Sequence, residues 1–481
     1  MKNQKHVNLI KQSDSYKVGH WMQNPEGTEY VQSYGESRGN KHGYEKVVFF
    51  GMQAAIKEYW TKQITIDDVD QAQVLIDAHL GAGIFNRAGW LRLIEKHNGY
   101  LPVRVRAVKE GSVMPTKVAL YTIENTDPEF AWVPSYLETT ALRAAWYGST
   151  VASNSYRIKE EIKYMLEKTA DSTDSLAFAL HDFGYRGVSS EESAGIGAAA
   201  HLINFMGTDT MAGLVAAMEY YNATGAVGFS VIASEHSTMC ANANAAMKDD
   251  TESIEKMVSI LERRVKETGT FQIVSAVADT YDTMRFAQLV GTTFKDRIEK
   301  SGGRFVVRPD SGDPVTVPID VVTRLMRLVG YTINSKGYKV LPSYIRVLQG
   351  DGINYDTIHD ILFFAEQRGL SAENFVFGMG GALLQDVTRD DYKFAQKASA
   401  ICVNGVWRDV FKDPITDPGK VSKRGRLTTV QTYDGMVVTK RMEEVLPTDM
   451  DLMEDVFVNG VLVRDQSFDE IRELSNRGLV G

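Results

Sequence analysis

Arg304-Phe305-Val306-Val307-Arg308-Pro309-Asp310-Ser311-Gly312-Asp313-Pro314 is the stretch that decides the fold. The apolar run 305–307 reads as a buried strand. Arg308, two aspartates, a glycine and two prolines then end it in a tight polar loop. One cation and two carboxylates therefore stand at a rigid strand end. The same grammar recurs along the middle of the chain. Run 176–180 leads into His181-Asp182-Phe183-Gly184-Tyr185-Arg186-Gly187, and 227–233 into Ser234-Glu235-His236-Ser237-Thr238. Run 272–278 leads into Asp279-Thr280-Tyr281-Asp282, 344–348 into Gln349-Gly350-Asp351-Gly352, and 374–377 into Gly378-Met379-Gly380-Gly381. Helical patterns fill the gaps. Repeated strand, polar loop and helix imply parallel strands with functional groups gathered at their C-terminal ends. A short strand in 205–210 and a last candidate at 398–403 bring the count to about eight, consistent with an irregular (β/α) barrel.

The flanks follow another pattern. Residues 103–108 alternate, Glu110-Gly111 turns the chain, and 118–124 returns as an antiparallel partner. Asp434-Gly435 and Asn459-Gly460 each sit between apolar runs, a strong hairpin signal. Asp14-Ser15-Tyr16-Lys17 and Tyr34-Gly35-Glu36-Ser37-Arg38 read as loops. Pro134 opens a helix that Gly148 should close, with a second helix over 152–168. The fold class is therefore α/β: an irregular barrel over 171–395, plus an α+β domain built from 1–170 and the returning 396–481.

Composition narrows the functional classes. The chain has 481 residues, 43% hydrophobic and 24% charged, which is ordinary for a globular protein. A net charge of −9 argues against bulk nucleic-acid binding. Two cysteines, Cys240 and Cys402, give no disulfide framework or metal-type spacing and fit a reducing cytoplasm. No apolar run reaches the ~18 residues of a membrane helix, and the first residues lack a signal-peptide pattern. There is no Walker loop and no His-Glu-x-x-His. Gly195-Ile196-Gly197 follows a helical stretch rather than a strand, so it is a poor dinucleotide turn.

The barrel-face loops collect Asp182, Arg186, Asp209, Glu235, His236, Asp279, Arg308, Asp310, Asp313 and Asp351. Arginines and the open glycines Gly378, Gly380 and Gly381 suit phosphate. Several carboxylates suit Mg²⁺. Phe183 and Tyr185 suit a flat ring. Each has a plainer reading, as a structural ion pair, a tight turn or a hydrogen-bonded histidine. Their recurrence at equivalent strand ends favours one cavity. The basic stretch from Lys412 through Lys420, Lys423, Arg424 and Arg426 is either a solvated loop or a clamp over polyphosphate.

Over nearly its whole length the chain resembles the nicotinamide phosphoribosyltransferases of the type II phosphoribosyltransferase family, in a bacterial or phage form. The resemblance rests on Asp14-Ser15-Tyr16-Lys17, the 181–187 motif, Gly207-Thr208-Asp209-Thr210, Glu235-His236-Ser237-Thr238, Arg308-Pro309-Asp310-Ser311-Gly312, Gln349-Gly350-Asp351-Gly352 and Lys412-Asp413-Pro414. It implies transfer of phosphoribose from phosphoribosyl pyrophosphate to nicotinamide in NAD salvage. It also implies ATP hydrolysis through a phosphorylated His236, and a homodimer with shared active sites. Neither a nucleic-acid nor a membrane partner is expected. By the family pattern the ring stacks between Phe183 and Tyr16 of the other subunit, while Asp209 and Arg308 read the carboxamide. Asp310, Gly350 and Asp351 hold the ribose, Gly380 and Gly381 receive the 5′-phosphate, and Arg186 lies in the substrate site. Arg38, Arg389, Lys397, Lys412 and Lys420 meet pyrophosphate and ATP, and Mg²⁺ enters mostly through pyrophosphate and water. Glu235 and Asp279 would orient His236. A nicotinate or other pyridine phosphoribosyltransferase is the near alternative; a barrel oxidoreductase or aldolase, or a binding protein, is more distant.

Overall fold

The computed structural model describes residues 6–416 and 421–479. The chain divides into two compact units. The first is 1–153, 216–224 and 387–481; the second is 154–215 and 225–386. The first junction therefore falls inside the long helix Glu138–Thr169 rather than between residues 170 and 171.

The second unit holds a seven-stranded parallel sheet. Its order is Gly207–Thr208, Leu180–Asp182, Phe375–Met379, Ile345–Gln349, Arg304–Arg308, Ile273–Val277 and Ile232–Ala233. The sheet curls: a parallel bridge from Gly207 to Phe229, just before the last strand, links its two ends. Helices with one apolar face cover it, such as Thr251–Thr268, which buries Ile254, Met257, Val258 and Leu261. The strands at 273, 304, 345 and 375 match the apolar runs closely. Run 176–180 does not, because Asp174–Phe178 is a 3-10 turn and pairing starts only at Leu180. Run 227–233 pairs mainly at its end.

The expected eighth barrel strand belongs elsewhere. Phe394–Val403 lies in the first unit, antiparallel to Thr28–Ser37. That unit's main sheet runs Val406–Asp409, Phe394–Val403, Thr28–Ser37, Ala119–Asn125, Val103–Ala107, Glu454–Val458 and Val461–Leu462. Both chain ends thus build one antiparallel sheet, and both Gly-containing hairpins form as expected. The stretch 34–37, expected as a loop, is the buried end of the central strand. Its glycine and polar residues look loop-like, but pairing on both sides satisfies the backbone.

Gly148 does not stop a helix. Glu138–Thr169 runs straight through it as one 32-residue helix. A Cβ at Gly148 would meet the Phe50 carbonyl oxygen at 2.8 Å, so the glycine serves close backbone approach. Next to it, Ser149 Oγ accepts from the Phe50 N–H at 3.0 Å.

The excursion 216–224 is tied into the first unit by Glu110. This carboxylate is fully buried and accepts from the Gly51 N–H, the Gln53 N–H and the Tyr221 hydroxyl at 2.9, 2.6 and 3.0 Å. Tyr221 is itself buried and stacks on Phe50. Glu110→Gln sets an amide donor against a backbone donor. We expect it to lower unfolding free energy by about 2–3 kcal/mol, measured by urea denaturation. A loss below about 0.5 kcal/mol would show the network is dispensable.

Candidate functional site

The C-terminal ends of the second unit's parallel strands place five functional side chains together. Phe183 follows the strand Leu180–Asp182, and its N–H bonds to the Met379 carbonyl at 2.9 Å. Its ring lies against Gly378, where a Cβ would come within 2.1 Å of it. Arg308 ends the strand Arg304–Arg308, three places along the same sheet, with its guanidinium carbon 5.4 Å from the Phe183 ring centre. Arg308 Nη2 donates to Asp310 Oδ1 at 3.0 Å. Its Nε is buried and, among the described residues, has no acceptor.

Gly350 leaves the space into which these groups point. A Cβ there would stand 3.3 Å from Arg308 Nε, 3.6 Å from Phe183 and 3.7 Å from Asp310. A side chain would fill the cradle between an aromatic face, a spare N–H donor and a carboxylate.

His236 extends the same cluster. Its Nε2 is 2.8 Å from Asp279 Oδ1, and its Nδ1 is 3.9 Å from Asp310 Oδ2. Asp279 is an acceptor, so the Nε2 proton is held there and Nδ1 carries the lone pair. One ring nitrogen is thus committed and the other left nucleophilic. The ligand atoms of His236, Asp279 and Asp310 lie within 4.8 Å of one another. With Nε2 engaged, the oxygens of the two aspartates are the donors suited to a hard cation.

Glu235 stands differently from the expectation. It precedes the helix His236–Asn242 and forms a capping box with Thr238, and its carboxylate accepts from the Ser237 hydroxyl. The bond that orients the ring is Asp279's. Asp182 also differs: it is buried and accepts from the Gly184 N–H and the Thr208 hydroxyl, at 2.8 and 3.1 Å. Burial pushes its carboxyl up, and these donors oppose that. It fixes the loop that presents Phe183. Asp313 Oδ1 accepts from the Val315 and Thr316 N–H groups, just ahead of the helix Thr316–Val329.

Asp209 is exposed, anchored by its N–H to the Asp182 carbonyl at 2.9 Å. Its carboxylate accepts from the Ser230 hydroxyl, a partner that nothing in the sequence singled out. Its charge acts on buried His181, whose ring is 6.2 Å from that of Phe183. Arg186 and Asp351 are exposed on the Tyr185–Gly187 turn and the loop after Ile345–Gln349. Gly380 and Gly381 begin the segment after Phe375–Met379, with open space where a Gly381 Cβ would lie.

The remaining predicted residues belong to the first unit. Tyr16 is 62% exposed, edge-on to His20, with the Lys17 ammonium 5.0 Å from its ring centre. Lys397 sits opposite Tyr34 in the strand pairing, and Arg38 bonds to Glu36 at 3.2 Å. Burial pushes the Lys397 ammonium down, and the charges of Arg38, Lys17 and Lys412 push the same way against Glu138. These four cations therefore share one neighbourhood. Arg389 is exposed beside Asp390. Lys420 lies outside the described residues.

Known proteins resemble this chain along nearly its whole length. Residues 178–457 match the Nicotinate phosphoribosyltransferase (NAPRTase) family, and residues 8–105 match the Nicotinamide phosphoribosyltransferase N-terminal domain. A nicotinamide phosphoribosyltransferase of Xanthomonas campestris is 44% identical over 97% of both chains. One of Acinetobacter baylyi is 33% identical, again over 97% of both. Among solved structures, nicotinate-nucleotide pyrophosphorylase from Pyrococcus furiosus superposes with a TM-score of 0.61 at 17% identity, covering 99% of this chain and 96% of that one. Human nicotinic acid phosphoribosyltransferase gives 0.59 at 15% identity, with 97% and 93% covered. These two support the fold, a type II phosphoribosyltransferase arrangement.

Proposed function

The chain belongs to the nicotinamide phosphoribosyltransferase family, and from that premise we propose how its residues carry out the reaction. The enzyme is a pentosyltransferase that makes nicotinamide mononucleotide and pyrophosphate from nicotinamide and phosphoribosyl pyrophosphate. The observation that carries the mechanism is the convergence of Phe183, Arg308 and Asp310 on the cradle at Gly350.

Nicotinamide stacks on Phe183, where offset stacking adds about 0.5–1.5 kcal/mol beyond burial. The spare Arg308 Nε–H donates to the carboxamide oxygen, and Asp209 accepts from the amide N–H. Asp310 and Asp351 hold the ribose hydroxyls beside Gly350. The pyridine nitrogen attacks the anomeric carbon as its bond to the pyrophosphate oxygen breaks. The transition state is oxocarbenium-like, so positioning and charge stabilisation do most of the work. Gly380 and Gly381 let backbone approach the 5′-phosphate, with Arg186 nearby. Asp279 and Asp310 offer oxygen donors of the kind Mg²⁺ takes; bound Mg²⁺ supplies neutralising charge for the pyrophosphate.

ATP couples through His236. With Nε2–H held by Asp279, Nδ1 attacks the γ-phosphorus, ADP leaves, and the phosphohistidine is later hydrolysed to inorganic phosphate. Glu235 shapes the helix start through its bonds to Ser237 and Thr238. A homodimer completes the site in this reading: Tyr16 supplies the second ring face, and Arg38, Arg389, Lys397, Lys412 and Lys420 meet the phosphates. The exposed apolar stripe Met211, Val215 and Met218 on the helix Met211–Tyr220 suits such an assembly. A solution mass of twice 53.6 kDa is expected. Two free cysteines fit a cytoplasmic setting, and no helix among the described residues is long and apolar enough to cross a membrane.

Product analysis after incubation with nicotinamide and phosphoribosyl pyrophosphate, with and without ATP, tests the whole scheme. A nicotinate preference would instead place the chain's specificity with the alternative pyridine substrate. Asp209 argues for the amide, since its carboxylate accepts from an amide N–H and repels a second carboxylate. We expect Asp209→Asn to shrink the nicotinamide-to-nicotinate ratio of kcat/KM roughly tenfold or more. An unchanged ratio would show that the amide is read elsewhere.

A further inference from the structure

Segment 13–20 is docked on the helix Val133–Tyr136 and the start of the helix Glu138–Thr169 by side-chain contacts, among them a bond from Thr139 Oγ1 to the Asp14 carboxylate at 2.7 Å. Ser13 Oγ donates to the Tyr136 carbonyl at 2.9 Å, and the Asp14 N–H donates to Thr139 Oγ1 at 3.0 Å. His20 Nδ1 is 3.2 Å from Ser135 Oγ. Lys17 Nζ is 2.6 Å from Glu138 Oε2. Lys17 is almost wholly buried, at 3% side-chain exposure, while Glu138 stays 23% exposed.

The charges around this pair do not balance. Arg38, Lys17 and Lys412 each act on Lys397, and the Glu138 carboxylate acts on it in the opposite sense. Arg38 and Lys423 share Glu36, which is buried. Among these described groups, five cations face two carboxylates, an excess of positive charge in a partly buried place. Such an excess is costly unless an anion joins it. A highly charged polyphosphate fits, and a monoanion does not.

We propose that Lys17 is a further pyrophosphate-binding residue and that Glu138 is its counter-charge, holding Lys17 in place and limiting how tightly the polyphosphate binds. The proposal rests on the reading above that Lys397 and its neighbours meet pyrophosphate. Glu138 competes with the anion for one ammonium, so its loss frees a full positive charge. Removing Lys17 deletes that charge. The two changes therefore act in opposite directions, whereas damage to a purely structural contact would weaken binding both times.

The test is calorimetric binding of inorganic pyrophosphate with Mg²⁺ to the intact protein, paired with steady-state kinetics. We expect Glu138→Gln to tighten pyrophosphate roughly tenfold and to lower kcat through slower product release. Lys17→Met should weaken pyrophosphate and raise KM for phosphoribosyl pyrophosphate by a similar factor. Thr139→Ala, which loosens the same docking without changing charge, serves as the structural control and should leave pyrophosphate affinity within about twofold. If Glu138→Gln and Lys17→Met both weaken binding, or neither changes it while Lys397→Met does, the proposal is overturned. If Lys397→Met also leaves pyrophosphate affinity unchanged, the underlying assignment of the cation cluster fails with it.

Discussion

The His236→Ala protein will make nicotinamide mononucleotide at a rate that ATP no longer raises, and it will take up no phosphate from γ-labelled ATP. The stacking face and the amide donor, Phe183 and Arg308, do not depend on the imidazole, so basal transfer survives. What vanishes is the one nitrogen left nucleophilic by the 2.8 Å bond from Nε2 to Asp279. Asp279→Asn is the informative companion. The ring remains, but an amide no longer enforces the Nε2–H tautomer. By analogy with other histidines held by a carboxylate, phosphoenzyme formation should slow about a hundredfold or more. Acid-labile label on the protein and the ATP dependence of kcat/KM measure both effects. Full ATP stimulation in the alanine variant would remove His236 from the mechanism.

Gly378→Ala should be nearly as severe, although it adds one methyl group and touches no substrate. The added Cβ would lie 2.1 Å from the Phe183 ring, well inside contact distance. The strand cannot yield easily, because Phe375–Met379 is paired on both sides, Gly378 itself standing opposite His181. The ring must move, and with it the stacking face beside Arg308. Misplacing a reacting ring by about 1 Å costs on the order of a hundredfold in rate. We expect kcat/KM for nicotinamide to fall by about that factor, with a rise in KM and a fall in kcat. At Gly380 the nearest atom is 3.8 Å away, so Gly380→Ala should strain the fold less. If Gly378→Ala keeps kcat/KM within about threefold of the parent, Phe183 is not the stacking platform.

The strand ends were readable because burial and chemistry change abruptly there. Val306 and Val307 are buried, and Arg308 and Asp310 face the cavity, so a boundary between apolar and polar residues marks a boundary in space. The same logic failed where a residue type has two physical uses. Gly148 matched a helix stop but serves contact with Phe50, and only the packing partner tells these apart. Tyr34 to Ser37 looked polar enough for a loop, yet two neighbouring strands take up the backbone groups. Glu235 and Asp279 were indistinguishable as partners for His236, since both follow a strand. Direction decides: Asp279 faces the ring and Glu235 turns to Ser237. Ser230 and Glu138 carried no local signal, because each matters through a neighbour distant in sequence.

The central strand of the antiparallel sheet has a consequence for biosynthesis. Thr28–Ser37 pairs along one edge with Ala119–Asn125 and along the other with Phe394–Val403. During translation the first edge can be satisfied early. The second waits for about 270 further residues, from Asn125 to Phe394, roughly 13–54 s at ordinary elongation speeds. Throughout that interval a nascent chain carries a ten-residue strand with one open hydrogen-bonding edge. Ribosome-bound intermediates stalled before residue 394 should therefore engage chaperones strongly, and those stalled well beyond 403 should release them.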